Sequence, residues 1–175
     1  MVKKIVTIIG GNSNITEFAE SQAFDLGKKI VDNGWLLCTG GRSGVMEAAS
    51  KGARASKKWT GLQIIGILPD SDKNAGNKYL DIVIPSGIGL TRNSLVVQTG
   101  DVCIAISGGA GTLSEIALAW QFKRPIAVMN ETGGWAENMS GVKLDHRDDK
   151  IEGFDSVDSV IEWIKSNLED TFSSN

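Results

Sequence analysis

Short apolar, largely β-branched runs recur along the chain at Lys4 to Ile9, Leu36 to Thr39, Ile64 to Leu68, Ile82 to Ile84, Val102 to Ile106 and Ile126 to Met129. Runs this short, without polar alternation, predict strands buried on both faces, as in a parallel sheet. The stretches between them follow a different period. Ala19, Ala23, Leu26 and Ile30 mark one helix stripe, Leu113, Ile116, Ala117 and Trp120 another, and Val157, Val160, Ile161, Ile164 and Leu168 a third near the C-terminus. Asn33-Gly34 suits a left-handed helix stop, and Pro125 separates a helical stretch from the strand after it. Strand and helix alternate throughout, so the pattern predicts an α/β protein with a doubly wound, mostly parallel sheet and helices on both faces. No linker or repeat divides the chain, which predicts a single domain over residues 1–175. Ala53 to Gln63, Asp70 to Lys78 and the Ser-rich end after Glu169 read as exposed segments.

Composition narrows the partners. A formal net charge of -3 and scattered Lys and Arg residues give no field for a polyanion, so nucleic acid is not the expected partner. The apolar run Ile5 to Ile9 is too short for a signal segment and no later run approaches a membrane span, so a cytoplasmic address is expected. Cys38 and Cys103 lie far apart inside apolar runs, which suits reduced core thiols. His146 is the only histidine and sits in the polar stretch Asp145 to Asp149, so no metal site is expected and a solvated loop suits this residue best.

The glycines, 21 in all, cluster immediately after predicted strands. In open α/β sheets that edge collects ligands. Three loops qualify: Gly10-Gly11-Asn12-Ser13, Gly40-Gly41-Arg42-Ser43-Gly44, and Gly108-Gly109-Ala110-Gly111-Thr112. The third precedes a helical stretch, whose first N–H groups and dipole favour a phosphate, with the Thr112 hydroxyl as a further donor. The alternative is a tight turn in which Thr112 and Glu115 form a capping box. The Gly-Lys-Ser/Thr ending of a nucleoside triphosphatase loop is absent. Arg42 stands either as a two-pronged phosphate ligand or as an ordinary surface arginine. Asn14-Ile15-Thr16-Glu17 reads as a helix start, and Gly133-Gly134-Trp135 can bring an indole to the same edge.

Gly40-Gly41-Arg42-Ser43-Gly44-Val45-Met46-Glu47, Gly66-Ile67-Leu68-Pro69, Arg92 and Gly108-Gly109-Ala110-Gly111-Thr112-Leu113-Ser114-Glu115 together resemble the LOG-like (SLOG) superfamily of "lysine decarboxylase-like" proteins. The stretches Asn33 to Ser43 and Gly111 to Ala119 are most similar to its molybdenum cofactor carrier branch. This resemblance implies a Rossmann-like sheet of about seven strands, a homo-oligomer (dimer or tetramer), and a small phosphorylated ligand, either a nucleotide or the molybdenum cofactor. The superfamily's enzymes hydrolyse the N-glycosidic bond of nucleoside 5′-monophosphates without a cofactor, using an arginine and a glutamate. Those roles would fall on Arg92 and Glu115. Three positions depart from the enzyme pattern: Ser107 replaces a proline, Asn93 a lysine, and Ser114 a glutamate. A binding protein is therefore the leading expectation and a phosphoribohydrolase the alternative.

Overall fold

The computed structural model describes residues 2–170. Its strands are β1 (Ile5–Gly10), β2 (Leu36–Thr39), β3 (Ile64–Leu68), β4 (Ile82–Pro85), β5 (Val102–Ile106), β6 (Ile126–Met129) and β7 (Glu152–Phe154). They form one sheet in the order β4-β3-β2-β1-β5-β6-β7, with every neighbouring pair parallel. The helices are α1 (Glu17–Asp32), α2 (Val45–Arg54), α3 (Asn93–Thr99), α4 (Ala110–Gln121), α5 (Gly134–Met139) and α6 (Val157–Asp170). The expected doubly wound, Rossmann-like α/β fold is present, and its sheet is wholly parallel. The Ser-rich stretch beyond residue 170 lies outside the described residues.

Two apolar layers hold the helices. Val6, Ile8, Leu37, Ile64, Ile104 and Ile106 point to the face covered by α1, α2 and α6. Ile9, Cys38, Ile65, Cys103, Ala105 and Val128 point to the face covered by α3, α4 and α5. This division follows from the two-residue period of a strand. Burial on both sides explains why β1, β2, β3, β5 and β6 read as continuous apolar runs. The two thiols lie on the second face in adjacent registers, Cys38 and Cys103 each opposite Thr7. Both are free and buried.

Helix α1 starts at Thr16, whose hydroxyl accepts from Ala19 N–H at 3.1 Å, and it ends on Gly34, whose φ is 83°. Gly34 N–H reaches Val31 O at 2.9 Å and Trp35 N–H reaches Ile30 O at 3.2 Å, the paired closure of a Schellman end. Close approach to α2 is set by two glycines. A Cβ on Gly27 would overlap the Ala49 carbonyl, and one on Gly52 would overlap the Phe24 carbonyl.

The segment before β3 is less open than its composition predicts. Asp81 has a side chain only 2% exposed, and it accepts from Gln63 N–H, Ile64 N–H and Trp59 Nε1 at 2.9–3.1 Å while pairing with Arg54 at 3.4 Å. One carboxylate thus ties the loop to the start of β4. Strand β7 joined none of the predicted runs, because its three residues are half-buried or exposed at the sheet's far edge.

Candidate functional site

Strand order reverses between β1 and β5, so the loops leaving their carboxyl ends run to helices on opposite faces and open a crevice. A cleft of about 520 Å³ lies there. Its walls are Gly10, Gly11, Asn12 and Ser13 after β1, and Ser107 to Thr112 after β5, with Leu90, Arg92, Asn93 and Glu115 closing one side.

The turn after β5 leads directly into α4. Gly109 is the N-cap of that helix and no side chain caps it. Thr112 and Glu115 are therefore inside the helix and form no capping box. Thr112 is 3% exposed and borders the cleft, where its side chain occupies the space that a Cβ on Gly108 would need. Gly108 has φ 99°. Gly109 and Gly111 differ: neither has positive φ, and a Cβ on either meets nothing within 4 Å. Gly109 suits its N-cap position, whereas neither backbone geometry nor packing asks for glycine at 111.

Ser107 adopts φ 56°, a left-handed conformation that proline's ring forbids. Its departure from the enzyme pattern thus has a conformational basis. Thr132 Oγ1 accepts from Ser107 N–H at 3.0 Å and donates to Met129 O at 2.8 Å. The start of α5 supports the same turn, since Trp135 N–H donates to Gly108 O at 2.9 Å and Ala136 N–H to Ser107 O at 3.1 Å. Trp135 therefore supports the turn through its backbone, and its side chain is not in the cleft wall.

The second glycine loop takes a place behind this wall. Gly40, Gly41, Arg42, Ser43 and Gly44 do not border the cleft, although Met46 in the next helix does. A Cβ on Gly40 would collide with the Arg92 guanidinium, so that glycine makes room for the arginine. Ser43 Oγ donates to Asn12 O at 2.7 Å, and Val45 N–H donates to Gly11 O at 2.9 Å. Gly44, with φ 64°, lets the Gly11 and Asn12 backbone pass where a side chain would block it. Arg42 faces Asp70 at 3.3 Å, both side chains partly exposed. The loop thus buttresses its neighbour.

Arg92 ends a 3-10 turn (Gly89–Arg92) and immediately precedes α3. Its residue is 7% exposed, and Glu115 in α4 is 6% exposed. The Nη1 of Arg92 donates to Asn93 Oδ1 at 2.7 Å and to Glu115 Oε1 at 3.3 Å, while Nη2 donates to Gly40 O at 3.3 Å. Its Nε–H is buried without a hydrogen-bond partner. Burial pushes the Glu115 carboxyl up to about 7 against the opposing pull of Arg92. Burial also lowers the Arg92 pKa, partly offset by Glu115. The other two departures from the enzyme pattern touch each other: Asn93 Nδ2 donates to Ser114 Oγ at 3.0 Å, and Ser114 Oγ donates to Gly111 O at 2.7 Å. A neutral pair therefore joins α3 to the first turn of α4 beside the arginine.

The arrangement offers helix N–H donors, a buried guanidinium and a carboxyl that titrates near neutrality around one concavity. Among the described residues, no group of three or more His, Cys, Asp or Glu side chains could hold a metal ion. No helix among them is long and apolar enough to cross a membrane.

The family model for the SLOG cluster4 family matches residues 3–161. The chain belongs to that family. Its fold matches a molybdenum cofactor binding protein from Rippkaea orientalis with a TM-score of 0.85 and 34% identity, over 96% of this chain and 99% of the other. It also matches the molybdenum cofactor carrier protein of Chlamydomonas reinhardtii, with a TM-score of 0.80 and 33% identity over 95% of this chain and 99% of the carrier. A cytokinin riboside 5′-monophosphate phosphoribohydrolase of Mycobacterium tuberculosis is 30% identical over 101 residues, 56% of this SLOG chain and 52% of the enzyme. The SLOG chain thus spans about half the length of that curated relative.

Proposed function

We propose that this SLOG protein binds a phosphate-bearing heterocycle in the β1/β5 cleft, with a molybdopterin-type cofactor as its cargo. The observation that carries this reading is the start of α4, where Gly109 is an N-cap with no capping side chain and Gly111 lies in the first turn. Glycine inside a first helical turn costs about 1 kcal/mol relative to alanine. At Gly111 neither φ nor packing offsets that cost, whereas the close approach of a phosphate to the uncapped α4 N–H groups would. The cleft falls within the usual size of small-molecule sites. Arg92 Nε–H adds a buried donor still without a partner. In a molybdopterin-type ligand the dithiolene sulfurs hold the metal, so this chain's residues need only grip the phosphate and the ring system. Two structural relatives matched over 99% of their own chains are named for that cofactor, which favours it over a plain nucleotide.

Glycosidic hydrolysis is the second reading, favoured by the Arg92–Glu115 pair. The Glu115 carboxylate can position water or steady an oxocarbenium-like sugar, and Arg92 can balance charge on the phosphate or leaving base. Three features weigh against it: the neutral Asn93–Ser114 pair, the left-handed Ser107, and the extent to which Arg92 is already bound by Asn93, Glu115 and Gly40.

Mass spectrometry of small molecules released from gently purified protein tests the leading reading, with a phosphorylated pterin expected. Gly109→Phe should fold, because the site has open space, and should abolish ligand-induced thermal stabilisation. Free base released from nucleoside monophosphates by the parent chain and lost in Glu115→Gln would move the assignment to hydrolysis. A homo-oligomer and a cytoplasmic address go with the binding reading, and sedimentation mass and cell fractionation test them.

A further inference from the structure

The opposite edge of the sheet carries a second concavity of about 730 Å³, between the C-terminal turn of α4, the first residues of β6 and β7, the 147–150 loop and α6. Two indoles wall it. Trp120 is held by its Nε1–H on Asp145 at 2.8 Å and by the Arg147 guanidinium 4.4 Å above the ring. Trp163 donates its Nε1–H to Glu152 at 2.7 Å and leans on Phe154 with ring centroids 6.1 Å apart. Trp120 is buried in the core beneath Arg147, whereas Trp163 is partly exposed and fixed, a flat surface of the kind that ring-bearing ligands use.

Charge in this cleft runs against that of the whole chain. Lys123, Arg124, Arg147 and Lys150 border it, against the carboxylates of Asp149 and Glu152. Arg147 is matched by Asp145. Lys123, Arg124 and Lys150 form no ion pair among the described residues. In a protein of net charge -3 this is a local excess of cations.

The backbone supplies an independent sign. Helix α4 closes with Lys123 N–H on Trp120 O at 3.2 Å and Arg124 N–H on Ala119 O at 2.9 Å. Helix α1 closes in the same way, but its left-handed residue is Gly34. In α4 the left-handed residue is Lys123, with φ 54°. Folding alone favours glycine there, so a lysine kept at a strained position beside a cationic cleft points to a role outside folding.

We propose that this cleft is a second ligand site, for a small molecule that joins a phosphate to a planar ring. Lys123, Arg124 and Lys150 hold the phosphate, and the ring lies on Trp163. The site is independent of the β1/β5 cleft, which lies at the other edge of the sheet.

The test is nuclear magnetic resonance of the full chain titrated with AMP, reading the Trp163 indole N–H after assignment with Trp163→Phe. The expected result is a saturable shift of that signal, with inorganic phosphate binding about tenfold more weakly. Lys123→Gly relieves the strained φ, so it should raise Tm by about 2–4 °C while weakening AMP binding at Trp163 roughly tenfold. Lys150→Ala should weaken binding without the gain in Tm. Gly109→Phe, which fills the other cleft, should leave the Trp163 response intact. An immobile Trp163 signal, unchanged affinity in Lys123→Gly and Lys150→Ala, equal affinity for phosphate and AMP, or loss of the response in Gly109→Phe would each overturn the proposal.

Discussion

Arg92 and Glu115 meet at 3.3 Å inside the protein, from the start of α3 and the second turn of α4, each less than a tenth exposed. Two buried charges hold each other there, and losing either leaves the other unmatched. Because burial raises the Glu115 carboxyl to about 7 from 4.5, the folded state binds its proton more tightly than the unfolded chain does. The sign follows from linkage: this contribution is fully present below pH 4.5 and is lost as pH rises through 7.

Glu115→Gln should therefore flatten the pH dependence of stability. Its Tm relative to the parent chain should improve between pH 5 and pH 8. At pH 8, Arg92→Ala should be the more damaging change, costing roughly 3–5 kcal/mol because it leaves a buried carboxylate without its cation. Denaturant melts at the two pH values check both. A parallel pH dependence in parent and Glu115→Gln would contradict the raised carboxyl.

The left-handed turn at Ser107 yields a second prediction. Ser107→Gly should stabilise the fold by about 0.5–1 kcal/mol, since only the strained φ is relieved. Ser107→Pro should destabilise it by about 3 kcal/mol or more, because the ring forbids φ 56° and removes the N–H that Thr132 accepts. Thr132→Val should cost about 1–3 kcal/mol by leaving that buried N–H unsatisfied. Calorimetry should rank Ser107→Gly the most stable of the three, Thr132→Val next and Ser107→Pro last. A stable Ser107→Pro would show that the turn can adopt the proline geometry.

These two sites mark where the residue pattern was sufficient and where it was not. The central strands were legible because strands buried on both faces have no reason to alternate polarity, and Asn33-Gly34 announced a left-handed stop because few residues tolerate one. Gathering of the first and third glycine loops followed from their place after β1 and β5. Arg42 was not legible: residue type suits it to phosphate, but its place is set by Asp70, an acid 28 positions away. For Glu115 the residue pattern leaves a capping box and a role beside Arg92 both open; the helix start at Gly109 removes the first and sets the carboxylate against Arg92. The anchoring role of Asp81 depends on contacts with four residues upstream, Arg54, Trp59, Gln63 and Ile64, which local periodicity cannot signal.

The thiols give a prediction about reactivity. Burial raises Cys38 to about 12 and Cys103 higher still, so neither is a thiolate near neutrality. A disulfide-type thiol reagent should label neither in the folded protein at pH 8 and both after denaturation. Rapid labelling of either under native conditions would contradict their place on the buried face of β2 and β5.

The closest helix contact gives the last prediction. Alanine is the better helix former, and on propensity alone Gly27→Ala in α1 or Gly52→Ala in α2 should stabilise by about 1 kcal/mol. The opposite is expected, because the added methyl at 27 would overlap the Ala49 carbonyl and the one at 52 the Phe24 carbonyl. Backbone cannot step aside as a flexible side chain can, so the helices must separate along the contact that covers β1 and β2. Each variant should lose about 2–3 kcal/mol net, as overpacked cores do. The double variant should lose less than the sum, since helices already parted by one methyl accommodate the second. Additive losses would mean that the two glycines act separately.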